Sequence, residues 1–139
     1  MSLEIPPHAP HPWFGTADDC LLIGGRTITG LAAQAGQTPF YVYDRGVMTR
    51  KVEQLRAALP REVHIHYAMK ANPMPAVVRH MLGLVDGLDV ASVGEMQVAL
   101  DAGASSSLVS FAGPGKTDAE LARAAAAGIT VNIESEREI

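Results

Sequence analysis

A strand, a short loop, a helix opened by Ser or Thr and a closing glycine recur along the second half of this chain, and that repeat limits the folds open to it. Ser92 with Glu95, Thr117 with Glu120 and Ser135 with Glu138 each fit the S/T-x-x-E pattern. In that pattern the hydroxyl takes a backbone N–H of the first turn and the glutamate reaches back to the cap. Ser92 and Thr117 lie 25 residues apart, and so do Gly103 and Gly128, which are placed to end the first two helices. Short apolar segments over 88–91, 108–111 and 129–133 precede the three caps, and 63–69 supplies a fourth strand. Repeated βα units require parallel strands joined by right-handed crossovers. Units this even favour a (β/α)8 barrel over a doubly wound sheet. Four strands are half of what such a barrel needs to close. The last residue, Ile139, falls inside the first turn that Ser135 would open. The fold expected is therefore α/β, the N-terminal part of a barrel belonging to a longer protein.

The rest of the chain divides by composition. Residues 1–17 hold Pro6, Pro7, Pro10 and Pro12 and read as a flexible arm. Residues 18–43 read as a lead-in: two short strands around Gly24-Gly25, a helical turn stopped by Gly36, and an extended run after Pro39. The barrel portion is 44–139. Asp44 opens a helix with Met48, Val52, Leu55 and Leu59 at helical spacing, ended by Pro60. In 63–69, alternation puts Val63, Ile65, Tyr67 and Met69 on one face and His64, His66, Ala68 and Lys70 on the other. Asn72 and Pro73 then open a helix carrying Val77, Val78, Met81 and Leu82, closed by Gly83.

Charge and composition remove several functions. Eleven Lys and Arg against 15 Asp and Glu give a net charge of −4, with no cation excess to displace phosphate counterions, so no nucleic-acid partner is expected. Hydrophobic residues at 47% and charged residues at 19% argue against disorder. No apolar run approaches the roughly 18 residues of a membrane span, and no basic stretch leads into an apolar one at the start. A lone cysteine, Cys20, excludes a disulfide framework and reads as packing. A cytoplasmic protein handling a small molecule is the expectation.

Chemistry in βα folds sits at the carboxyl ends of the strands. There Lys70 shares a face with His66 and Ala68. A lysine partly withdrawn from water becomes nucleophilic toward aldehydes, as a Schiff-base lysine must be, although most strand-end lysines are simply solvated. Two competing motifs are weaker. His64 and His66 form H-x-H, but a metal site needs further ligands on later strands, and the next histidine, His80, falls mid-helix. Gly115-Lys116-Thr117 mimics a phosphate-binding loop, but Ser110 stands where its first glycine is required. No metal is expected.

The blocks HYAMKANP, GLDVASVGEM, SFAGPGKTDAEL and VNIESEREI, in this order and preceded by LAAQAGQTPFYVYD, resemble the fold-type III pyridoxal-phosphate decarboxylases, the ornithine, diaminopimelate and arginine decarboxylase group. KANPMPAVV and FAGPGKTDAEL are also similar to decarboxylase-like proteins associated with exosortase and exopolysaccharide systems. The resemblance implies pyridoxal 5'-phosphate as cofactor, Lys70 as the lysine holding it as an internal aldimine, and Asp89 as the acid beside that nitrogen. It implies an amino-acid substrate and, at full length, a homodimer. It places the ring-stacking histidine, the phosphate-binding loop and the partner's contribution beyond Ile139, so the 139 residues alone are expected not to decarboxylate. Glu95 matches an acidic family position, but its capping box with Ser92 explains it. A non-catalytic binding relative and a truncated gene product are the alternatives.

Overall fold

The computed structural model describes residues 12–139. The chain divides into two compact units, 1–47 and 48–139.

In the first unit, β1 (Thr16–Ala17), β2 (Cys20–Ile23) and β3 (Arg26–Thr27) form an antiparallel sheet in the order β1-β2-β3. The arm expected over 1–17 lies outside the described residues up to residue 11, and its last two residues are strand, Thr16 opposite Leu21 and Ala17 opposite Cys20. Thr27 caps α1 (Ile28–Ala35) by accepting the Gly30 N–H, and Gly36 ends it at φ 72°. The run 40–44 forms no strand. Asp44 accepts the Val47 N–H at 3.1 Å and so opens α2 (Arg45–Ala58).

The second unit carries a four-stranded parallel sheet in the order β4 (His66–Ala68), β5 (Gly87–Val90), β6 (Val109–Phe111), β7 (Thr130–Val131). Spatial order follows chain order with no reversal, as in an arc of a barrel wall and unlike a doubly wound sheet. Helices α3 (Pro75–Leu82), α4 (Val93–Asp101) and α5 (Asp118–Ala126) supply the crossovers. Leu88 and Val90 of β5 and Val109 and Phe111 of β6 are at most 1% exposed and pack with Val78, Met96, Ala99 and Ala124 on the helical side. Their alternates, Asp89 and Ser110, therefore project to the opposite face.

Three local readings change. The strand expected over 63–69 is limited to 66–68, because the Ile65 N–H donates to the Asp86 carboxylate at 2.7 Å instead of joining the ladder. Beyond Ala68 the chain turns into a 3-10 segment, Met69–Ala71, so Lys70 stands on a turn and not on the strand itself. The helix expected to open at Asn72 and Pro73 begins at Pro75, where a proline suits the first helical position; the Asn72 side chain accepts the Met74 N–H instead.

The caps divide in a similar way. Thr117 and Glu120 form the complete capping box. Ser92 accepts the Glu95 N–H at 3.1 Å, but the Glu95 carboxylate bonds the Ala91 N–H at 2.8 Å, one residue upstream of the cap. Ser135 makes no side-chain cap bond; the Glu138 N–H donates to the Ser135 carbonyl at 3.1 Å instead. Gly103 and Gly128 follow the helix ends at φ 97° and 71°, a region most residues avoid. Thr117→Ala is expected to destabilise the second unit by about 1 kcal/mol in urea unfolding, the usual loss for a side-chain cap.

Candidate active site

The carboxyl ends of β4, β5 and β6 surround a cavity of about 180 Å³. Ala68 and Lys70 border it from the end of β4, Asp89 from β5, and Ala112 and Gly113 from the loop after β6. Lys70 and Asp89, singled out in the sequence on separate elements, thus meet at one opening. Lys70 is exposed and makes no hydrogen bond or ion pair among the described residues.

The other two lysines are placed differently. Lys51 lies on α2 and is engaged elsewhere. Lys116 is buried, with its Nζ 3.1 Å from both carboxylate oxygens of Glu138 and 2.6 Å from the Gly113 carbonyl. That pairing removes Lys116 from any phosphate-loop role. A larger cavity, about 470 Å³, lies in the first unit between Ile23 and Gly46, but its carboxylate, Asp44, is committed to capping α2.

Asp89 is held by two donors. His66 Nδ1 lies 3.0 Å from its Oδ1, and the Ser110 hydroxyl donates to the same oxygen. Register explains the meeting: Ala68, Asp89 and Ser110 are opposite one another across three parallel strands, and His66 is two residues upstream on the same face. His64 lies outside β4, His66 is turned to Asp89, and no metal-ligating cluster occurs among the described residues.

Two supports escaped sequence reasoning. Asp86 receives the Ile65 N–H and pairs with Arg56 at 2.7 Å, tying the entry of β4 to α2. Its carboxyl is held below the usual value by the Arg56 hydrogen bond first and the Ile65 N–H second. The second support straps the cavity loop. Gly113 N donates to Glu134 Oε1 at 2.5 Å, Glu134 N donates to Glu138 Oε2 at 2.7 Å, and Lys116 closes the ring. The signal for it was Glu134 and Glu138 in VNIESEREI, of which the S-x-x-E spacing assigns Glu138 to a helix cap and leaves Glu134 without a role.

Glu138 carries a pH dependence. The Glu134 N–H, with Lys116 adding to it, holds its carboxyl below the ordinary 4.5. The folded value lies below the unfolded one, so the stabilisation is complete above pH 4.5 and is lost as pH falls through the folded value. Glu138→Gln is expected to lower the thermal midpoint at neutral pH and to flatten its fall between about pH 5 and 3. Identical slopes for the two proteins in a pH series of melts would refute this.

Residues 45–139 match the family described as pyridoxal-dependent decarboxylase, pyridoxal binding domain. The chain belongs to this family. Diaminopimelate decarboxylase of Vibrio cholerae is 40% identical over 114 residues, 81% of this chain and 27% of that protein. A crystal structure from Aquifex aeolicus, 36% identical, superposes with a TM-score of 0.83 over 92% of this chain and 32% of its own. Diaminopimelate decarboxylase from M. jannaschii in co-complex with L-lysine, 29% identical, gives 0.80 over 90% of this chain and 30% of its own. The chain thus spans about a third or less of the proteins it matches. Its parallel arc is a part of a pyridoxal-binding decarboxylase barrel, and the family's cofactor is pyridoxal phosphate. In the described residues no helix is long and apolar enough to cross a membrane.

Proposed function

We propose that this chain is the cofactor-anchoring part of a pyridoxal-phosphate amino-acid decarboxylase of diaminopimelate or ornithine type, with Lys70 as the anchor. One observation carries the reading: of the three lysines, Lys70 alone is exposed, unpaired and at the cavity. An amine free of a carboxylate partner suits an aldehyde, and the Asp89 Oδ2 has no hydrogen bond among the described residues to compete with a cationic nitrogen nearby.

Pyridoxal phosphate, when bound, supplies the electron acceptor that makes loss of CO2 from an amino acid feasible. The chain's residues do the rest. Lys70 Nζ holds the cofactor in place and, when released, is a base that can carry a proton. Asp89 favours the protonated state of the nitrogen next to it. The strapped loop at Gly113 fixes one wall of the cavity. The relatives support a dibasic substrate: diaminopimelate less CO2 is lysine, the molecule bound in the M. jannaschii enzyme. A homodimer at full length completes the proposal.

Borohydride reduction in the presence of pyridoxal phosphate, followed by peptide mass mapping, tests the anchor. The expected result is label on the peptide containing Lys70. Label shared equally with the peptides of Lys51 and Lys116 would defeat the reading. The 139 residues alone are expected to release no CO2 from diaminopimelate, ornithine or lysine, since β4 and β7 each pair on one side only. Release of labelled CO2 by the purified chain would contradict that.

A further inference from the structure

His66 and Ser110 are the side chains the proposed chemistry leaves unused, and both act on Asp89. Their two donors converge on Oδ1, leaving Oδ2 unoccupied by any described residue. A carboxylate on a strand end can rotate about its last torsion, which has broad minima. Two donors from two neighbouring strands, β4 on one side and β6 on the other, fix that rotation and aim the second oxygen.

The fold makes room for the His66 ring. A Cβ built on Gly87, directly across from His66 in the ladder, would stand 2.7 Å from His66 Cε1 and 2.8 Å from Nε2. It would also stand 2.9 Å from the Leu108 carbonyl oxygen, so the backbone gives no relief. Only glycine at 87 seats this imidazole against the sheet with Nδ1 turned toward Asp89. The ring is 35% exposed and the carboxylate 41%, so the contact lies at the wet mouth of the barrel face, where an unconstrained pair would exchange freely with water.

We infer that His66 is a positioning residue: seated over Gly87 as the Nδ1–H tautomer, it holds Asp89 jointly with Ser110 so that Asp89 Oδ2 faces the Lys70 cavity. This rests on the proposed anchoring role of Lys70 for its purpose, but not for its geometry. The neutral ring has two tautomers, and a carboxylate at Nδ1 selects the one that carries its proton there.

The test is nitrogen-15 NMR of the imidazoles of the 139-residue chain, at a pH where the rings are neutral. His66→Asn assigns the resonance by removing it. The expected result is the Nδ1–H form for His66, reverting in Asp89→Ala toward the Nε2–H form that an unconstrained imidazole prefers. Ser110→Ala, which leaves the His66 contact intact, keeps the Nδ1–H form and guards against misfolding of the first variant. An Nε2–H ring in the unaltered chain overturns the inference. A second readout is the rate of reductive trapping of pyridoxal phosphate. His66→Asn keeps a donor near the Nδ1 position and is expected to stay within about threefold of the parent, while His66→Leu falls roughly tenfold, the scale of one hydrogen bond to a charged group. Equal rates for the Asn and Leu variants overturn the positioning role. Should the parent trap nothing at Lys70 while His66 is Nδ1–H, the anchoring reading fails and the tautomer assignment stands.

Discussion

Lys70→Arg is expected to abolish borohydride-stable attachment of pyridoxal phosphate while leaving the fold intact. Arginine keeps the positive charge and the length, so electrostatic attraction for the phosphate persists. Its guanidinium stays protonated at any working pH and offers no free electron pair to an aldehyde. Lys70 is exposed, on a 3-10 turn, and holds no partner that the substitution would strand, so stability should change by no more than about 0.5 kcal/mol. Label on the Lys70-containing peptide should fall to the level of untreated protein. Lys116 cannot take over, since its side chain is 1% exposed and bound to Glu138, and Lys51 lies on α2, outside the cavity. Undiminished labelling in the Arg variant would place the anchor elsewhere and end the decarboxylase reading of this chain.

Phe111→Ala is expected to produce the largest loss of stability. Phe111 is 0% exposed and belongs to the core cluster that includes Met69, Val90 and Ala124. Its backbone pairs with Val90 on one side and Val131 on the other, so the surrounding frame cannot close over the space left behind. Truncating a buried phenylalanine costs about 3–5 kcal/mol, lost transfer energy plus the residual cavity. Whole domains are stable by only about 5–15 kcal/mol. The variant should therefore unfold at a much lower urea concentration than the parent. Leu108→Ala is the control: three residues away and 44% exposed, it should shift the midpoint little. Comparable shifts for the two would mean that the core is not centred on β6.

The βα rhythm was legible because its signals are local. The hydroxyl-glutamate spacing of Thr117 and Glu120 and the positive φ of Gly103 and Gly128 are properties of single turns, and the structure contains them. Lys70 stood out by its place just after a strand and Asp89 through the family resemblance, and parallel strands in register bring the two to one cavity. The same local logic failed where a distant group outbid a near one. Ser135 and Glu138 have the spacing of a cap, but the glutamate is taken instead by the Glu134 N–H and by a buried ammonium 22 residues back. Strand β4 is shorter than its alternation suggests because Asp86, 21 residues on, takes the Ile65 N–H.

The sequence by itself determined the class of fold and its succession of βα units, since periodicity, capping and glycine placement act within a few residues. Only the tertiary structure decided that Lys116 is spent on Glu138, that His66 turns to Asp89 over a bare Gly87, and that Lys70 keeps an unpaired amine at the cavity. Those outcomes depend on which charged groups meet across 20 or more residues of chain. Such meetings follow from strand register and loop packing, and no local pattern encodes them.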